Sequence, residues 1–149
     1  MASVFGQITV DGYTKVEVKI NNLTKDGARK IREEVIVGAQ DIRNTMILSM
    51  RNTPKTGRVY RRQKGKKRHV ASSPGNPPAK DYGELVRSIT VRTRMKGDIQ
   101  VGAESGAPYA MYLEKGTPKM AARPWAKPAL DKNLPTIRKR ILAIIKGII

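Results

Sequence analysis

Arg58, Arg61, Arg62, Lys64, Lys66, Lys67 and Arg68 crowd one short stretch of this chain, with Tyr60 and His69 among them. Guanidinium and ammonium groups at this density pair with phosphates or carboxylates, and an interleaved tyrosine can stack on a nucleobase. Two chemistries fit. One is sequence-independent, salt-sensitive binding of nucleic acid; the other is a solvated segment that orders against an acidic protein surface. The components of catalysis are not gathered anywhere. His69 is the only histidine and there is no cysteine, so neither a metal centre nor a disulfide is expected. Ser72-Ser73 has no neighbouring base to activate a hydroxyl. Asp81, Glu84, Asp98, Glu104 and Glu114 stand at no spacing that proposes a carboxylate pair. Gly102 and Gly106 are isolated and form no phosphate-cradling loop. No cofactor is expected, and an enzyme is the least supported class.

The elements that carry this cluster must fit into 149 residues, enough for one domain with a modest core. The net charge of +18 bears on partners rather than on fold, and admits nucleic acid, an anionic membrane or an acidic protein face. The opening MASVFGQITVDGY has no basic segment followed by a long apolar run, so no signal peptide is expected. No apolar run reaches the length of a transmembrane helix.

Val4, Ile8 and Val10 precede Asp11-Gly12, and Val16, Val18 and Ile20 alternate with polar residues, which predicts a hairpin over residues 3–20. Asn21-Asn22 is expected to end its second strand, and Thr24 to cap a helix. From Lys25 to Arg51 the apolar residues Ile31, Val35, Ala39, Ile42, Met46 and Met50 recur at three- and four-residue steps, the stripe of a long amphipathic helix. Gly38 on that helix would permit a close neighbour.

Residues 52–80 contain no acid and are punctuated by Pro54, Gly57, Gly65, Pro74, Gly75, Pro77 and Pro78. They predict one long basic loop or arm, mobile in the isolated chain. Residues 81–88 predict a short helix, and Ile89–Arg94 and Ile99–Val101 predict a second hairpin turning at Lys96-Gly97-Asp98. Tyr109–Leu130, YAMYLEKGTPKMAARPWAKPAL, then offers a helical turn ending at Gly116. Pro124 and Pro128 follow, fixing the backbone on both sides of Trp125. Leu134, Ile137, Ile141, Ile144 or Ile145, and Ile148 place an apolar stripe on a terminal helix, which favours packing over a membrane-surface role. The fold class is therefore α+β: a small antiparallel sheet of two hairpins on a long central helix and a C-terminal helix, with an extruded basic loop.

Three motifs in order carry a family resemblance. A helix ends in a Pro-x-Thr-Gly-Arg step at Pro54, Thr56, Gly57 and Arg58. A His-x-Ala-Ser-x-Pro-Gly-x-Pro-Pro-Ala loop follows, through His69, Ala71, Ser72, Pro74, Gly75, Pro77, Pro78 and Ala79, leading to Gly83, Leu85, Ser88 and Ile89. Last comes Tyr-Ala-x-Tyr-x-Glu-x-Gly-Thr at Tyr109, Ala110, Tyr112, Glu114, Gly116 and Thr117, then Ala122, Pro124, Trp125, Pro128, Ala129 and Leu130. In this arrangement the chain resembles the neck and tail-completion (head–tail joining) proteins of tailed bacteriophages, from about Lys25 onward. Trp125 stands where the family more often has phenylalanine.

The resemblance implies a structural virion protein, a homo-oligomeric ring (hexameric or dodecameric) between the head connector and the tail tube or tail terminator. It is assembled in the host bacterial cytoplasm and makes no use of a membrane. Ring and subunit contacts are then expected from the basic arm, Arg58 to His69, with phage DNA close by. The motif residues from Thr56 to Pro128 form the structural signature. The alternative is a small nucleic-acid-binding protein whose footprint is the same arm; a third reading, membrane activity, would work through Leu134–Ile149.

Overall fold

The computed structural model describes residues 2–10, 13–23, 25–61, 68–93, 98–104 and 107–147, the first two stretches by backbone alone. The expected turns at Asp11-Gly12 and Lys96-Gly97, the Thr24 cap and Ile148 lie outside the described residues.

Two hairpins form as their alternation predicts. Strand β1 (Ala2–Val10) pairs antiparallel with β2 (Tyr13–Leu23), from Val10↔Tyr13 to Ala2↔Leu23, with register shifts near both ends. Asn21-Asn22 does not end β2, because the start of β1 supplies ladder partners as far as Leu23. Strand β5 (Ile89–Thr93) pairs antiparallel with β6 (Ile99–Ala103). The hairpins then join through a parallel pairing of β1 with β6, Ile8↔Ile99 to Val10↔Val101. The result is one four-stranded sheet in the order β2-β1-β6-β5. Between the basic residues, β3 (Val59–Tyr60) and β4 (His69–Val70) make a separate two-stranded hairpin.

Helix α1 (Lys25–Asn52) lies on this sheet, touching β1, β5 and β6. Its expected stripe from Ile31 to Met50 is buried throughout, together with Ile89, Ile99 and Val101 of the strands. Burying each such side chain stabilises the fold by about 1.5–3 kcal/mol. Arg43, outside the apolar stripe, lies half-buried and donates from Nε to the Ile89 carbonyl at 2.9 Å. It thereby ties the helix to the start of β5.

Helix α4 (Lys127–Lys146) packs along the other side of α1, burying Ile137 and Ile141. It begins earlier than its apolar stripe suggests. Pro128 sits in its first turn, where a missing N–H costs nothing, rather than flanking a turn around Trp125. Pro135 lies inside the helix at an exposed position. Arg140 reaches back to α1 at 2.6 Å from Glu34 and 2.7 Å from Asp41, and Asn133 donates to Thr45 at 2.9 Å.

The α1–α4 contact is close because Gly38 faces Ile137. A Cβ at position 38 would stand 2.8 Å from Ile137 Cγ1, inside van der Waals contact. Helix propensity alone would favour a larger residue by about 1 kcal/mol, so packing decides this position. Gly38→Leu should lower stability by about 1–3 kcal/mol through overpacking, read as the midpoint of urea unfolding. Ile137→Ala in the same chain should restore part of that loss, whereas strictly additive losses would show that the two residues do not meet.

Candidate functional site

The 52–80 segment returns to the domain at both ends. Gly57 N–H donates to the Ala71 carbonyl at 2.8 Å and Ala71 N–H to the Arg58 carbonyl at 3.0 Å, closing the base of the β3–β4 hairpin. Only glycine permits this approach, because a Cβ at position 57 would lie 2.1 Å from the Ser72 carbonyl oxygen. Thr56 and Ser73 join their hydroxyls across the same base at 2.9 Å. The Thr-Gly-Arg step and the Ala-Ser step are thus two sides of one closure.

On this hairpin Arg58, Tyr60 and His69 form a stack. The Tyr60 and His69 rings lie 6.1 Å apart and 21° from parallel, with the Arg58 guanidinium carbon 5.6 Å from the Tyr60 ring centroid. His69 Nδ1 stands 3.4 Å from an Asp81 carboxylate oxygen. Arg61 and Arg68 are exposed beside the stack. Arg62, Lys64, Lys66 and Lys67 lie outside the described residues.

Beyond His69 the chain becomes a strap laid on the domain. Ala71, Ser72, Pro78 and Ala79 are buried, and Gly75, at φ 82°, donates its N–H to the Ala122 carbonyl at 3.0 Å. Pro74 and Pro77 flank that contact. The strap ends at Gly83, also in the left-handed region, which opens α2 (Glu84–Ser88) and buries Leu85.

Helix α3 (Ala110–Lys115) supplies the other wall and the fold's main internal anchor. Glu114 is 2 % exposed. Its Oε2 accepts from the N–H groups of Trp125 at 2.6 Å and Ala126 at 2.9 Å, and its Oε1 from Lys127 at 3.0 Å. These N–H groups lead into α4 and end at its first residue, Lys127; the helix has no capping side chain of its own. A carboxylate there satisfies orphan N–H groups and lies at the positive end of the helix dipole. Trp125, 1 % exposed, completes the clamp by donating Nε1–H to the Ala110 carbonyl at 3.3 Å. Gly116 ends α3, and Thr117 and Met120 bridge the turn that carries the chain back to Pro124.

Between strap, α2 and α3 lies a groove of about 570 Å³. Residues of the second and third motifs line it, among them Ala71, Pro78, Leu85 and Tyr109, together with Tyr60 and His69 of the arm. Tyr82, Met111 and Tyr112 are exposed nearby in sequence to these walls. Burial, then the charge of Glu84, raises the Tyr109 phenol above its ordinary value, so it stays a neutral hydroxyl at neutral pH. Two groove residues escaped the sequence reading. Ser72, set aside for want of a base, is fully buried with no hydrogen-bond partner for its hydroxyl among the described residues. Arg123 is 7 % exposed, although among the described residues no acid within ion-pair reach accompanies it there. The one signal available was that Arg123 is the only basic residue directly before the Pro-Trp step.

Among the described residues, no group of three or more His, Asp or Glu is placed to hold a metal ion, and no helix is long and apolar enough to cross a membrane. Removing the clamp should be costly. Glu114→Ala leaves three N–H groups without their acceptor and should lower stability by roughly 3–5 kcal/mol, measured by urea unfolding. Glu114→Gln, which keeps an acceptor but turns an NH₂ toward N–H groups, should fall between. A loss under about 1 kcal/mol for Glu114→Ala would remove the clamp from the account.

Comparison with known proteins adds the family to this geometry. Residues 14–116 match the HK97-gp10-like family model, described as "Bacteriophage HK97-gp10, putative tail-component". No curated protein and no solved structure matches the chain significantly. The matched span runs from β2 through α3 and includes the arm, the strap and most of the groove. The chain belongs to the HK97-gp10-like family of bacteriophage tail components.

Proposed function

We propose that this tail component acts as a neck or tail-completion protein, a ring of identical subunits between the head connector and the tail tube. The observation that carries the reading is that the motif segments close on one another, the first on the second at Gly57–Ala71 and the second on the third at Gly75–Ala122, setting a firmly based hairpin beside an aromatic-rimmed groove. A face built this way presents shape and charge with no reacting group, so the role is structural rather than enzymatic.

A ring of identical subunits joined head to tail requires two different surfaces on each subunit. The arm, Arg58 to His69, supplies one, reaching a neighbouring subunit or the next ring. Val37 and Leu48 on the outer side of α1, about half exposed, supply apolar positions for the other. Ring closure with six or twelve subunits suits the symmetry of a connector. Assembly takes place in the host bacterial cytoplasm, and the acidic faces of connector and tail-tube proteins are the partners of the arm.

A second reading is favoured by one observation, the Arg58–Tyr60 stack within a run free of acids, which also suits a nucleic-acid backbone and base. The two separate cleanly. Replacing Arg58, Arg61 and Arg68 together by glutamate should leave the circular dichroism spectrum and urea midpoint unchanged. In a phage complemented by this variant, unjoined heads and tails should accumulate, and the purified chain should lose its ring in sedimentation. Normal particles from the variant, with duplex-DNA affinity that is tight in the wild type at physiological salt and lost in the variant, would transfer the arm to the nucleic-acid reading.

A further inference from the structure

The groove holds more polar machinery than its own fold uses. Arg123 is almost fully buried; its backbone N–H goes to the Leu113 carbonyl at 2.7 Å and its Nε to the Ser72 carbonyl at 3.3 Å. Among the described residues, nothing accepts from its two terminal nitrogens, and no carboxylate lies within ion-pair distance. A guanidinium presents five donors in a planar fork that matches a carboxylate bidentately. Its stem and Nε are held inside with one neutral acceptor, while the terminal nitrogens keep access to solvent and have no counter-charge among the described residues. Its neighbour Ser72 adds a second unmet demand, a buried hydroxyl with no partner among the described residues. Unsatisfied buried hydroxyls are rare in folded proteins, and one beside an arginine whose terminal donors are open calls for a ligand.

We infer that this groove is a docking slot for an extended segment of a partner protein, one that sets a carboxylate on Arg123 and an aromatic or aliphatic side chain beside it. The inference rests on the structural role proposed above, and it names what that role leaves open, the chemistry of the neighbour's docking segment. Charge complementarity argues for the carboxylate. The chain carries +18, and the acids lining the groove, Asp81 and Glu84, sit at its edge in exposed positions, with Asp81 engaged by His69. The walls argue for the apolar side chain, since Leu85, Tyr109, Leu113 and Met120 line the slot. A volume of about 570 Å³ accommodates a few side chains of an extended strand, within the ordinary range for ligand sites. A nucleic-acid phosphate would pair with the arginine and leave those walls without a counterpart.

The probe is 3-phenylpropionate, which joins a ring to a carboxylate, with 3-phenylpropionamide as its uncharged match. Added to ¹⁵N-labelled full-length chain, the acid should shift the Arg123 Nε–H and the Ser72 and Leu113 amides saturably. The amide should bind at least about tenfold more weakly, the value of one lost charge-assisted pairing. Arg123→Met should abolish the shifts and Arg123→Lys should keep part of them. Should Arg123→Met not fold, Met120→Ser, a half-buried wall residue outside the apolar core, should weaken acid and amide alike. Equal binding of acid and amide, shifts that persist in Arg123→Met, or shifts at these sites produced by a twelve-base-pair duplex DNA and not by the acid would each overturn the inference. The head–tail joining assay with the arm variant reads the ring function separately, so the two can fail independently.

Discussion

One buried carboxylate holds the motif-bearing half of this molecule together. Among the described residues no cation stands beside Glu114; it is satisfied by three consecutive backbone N–H groups at the start of α4. The interaction fixes three things at once. It starts a helix whose N-cap position, Ala126, offers no capping side chain. It seats Trp125 against α3. It also closes the turn from Gly116 to Pro124, so that Arg123 must face Ser72 across the groove. Without it the strap loses its floor, since Gly75 is anchored to Ala122 within that same turn. The arm in turn stands on the strap through Gly57 and Ala71.

The molecule therefore has two mechanical parts with different origins of stability. The sheet, α1 and α4 form an apolar core in which Ile31, Ile42, Met46, Ile99 and Ile137 exclude water, the strongest driving force in folding. The strap, groove and arm bury few large side chains of their own and depend on backbone closures: Gly57 to Ala71, Gly75 to Ala122, and Glu114 to α4. A surface fixed by hydrogen bonds rather than by bulk can be broad, shallow and still well shaped. That suits a component of a virion tail, whose task is to meet other proteins in a defined orientation, because an ordered surface loses less entropy on binding.

The parts legible in the sequence are those governed by local period. The α1 stripe from Ile31 to Met50 repeats every three or four residues, and both hairpins alternate, so their elements follow from neighbouring residues alone. The parallel seam between β1 and β6 was not legible, because it joins strands about ninety positions apart and leaves no local trace in either. Glu114 could be marked as part of a motif, yet its role could not be read, since its partners are backbone amides that any residue would supply. Arg123 hid for a similar reason: within a chain so rich in arginine, only burial distinguishes it. Pro128 shows the same limit, as a proline after Trp125 fits a turn and the first turn of a helix equally well. The arm's composition marked it as a candidate binding surface, while the closure of its base by Gly57 required the Ser72 carbonyl to be in view.

The Glu114 clamp makes the groove and the base of the arm a preformed surface rather than one that assembles on contact. Amide hydrogen exchange at Trp125, Ala126 and Lys127, read by NMR on the isolated chain, tests it most directly. These three amides are predicted to exchange only through global unfolding, as slowly as those at Ile42 and Met46 in the middle of α1. Exchange at these three sites through local opening, orders of magnitude faster than at Ile42, would contradict the account.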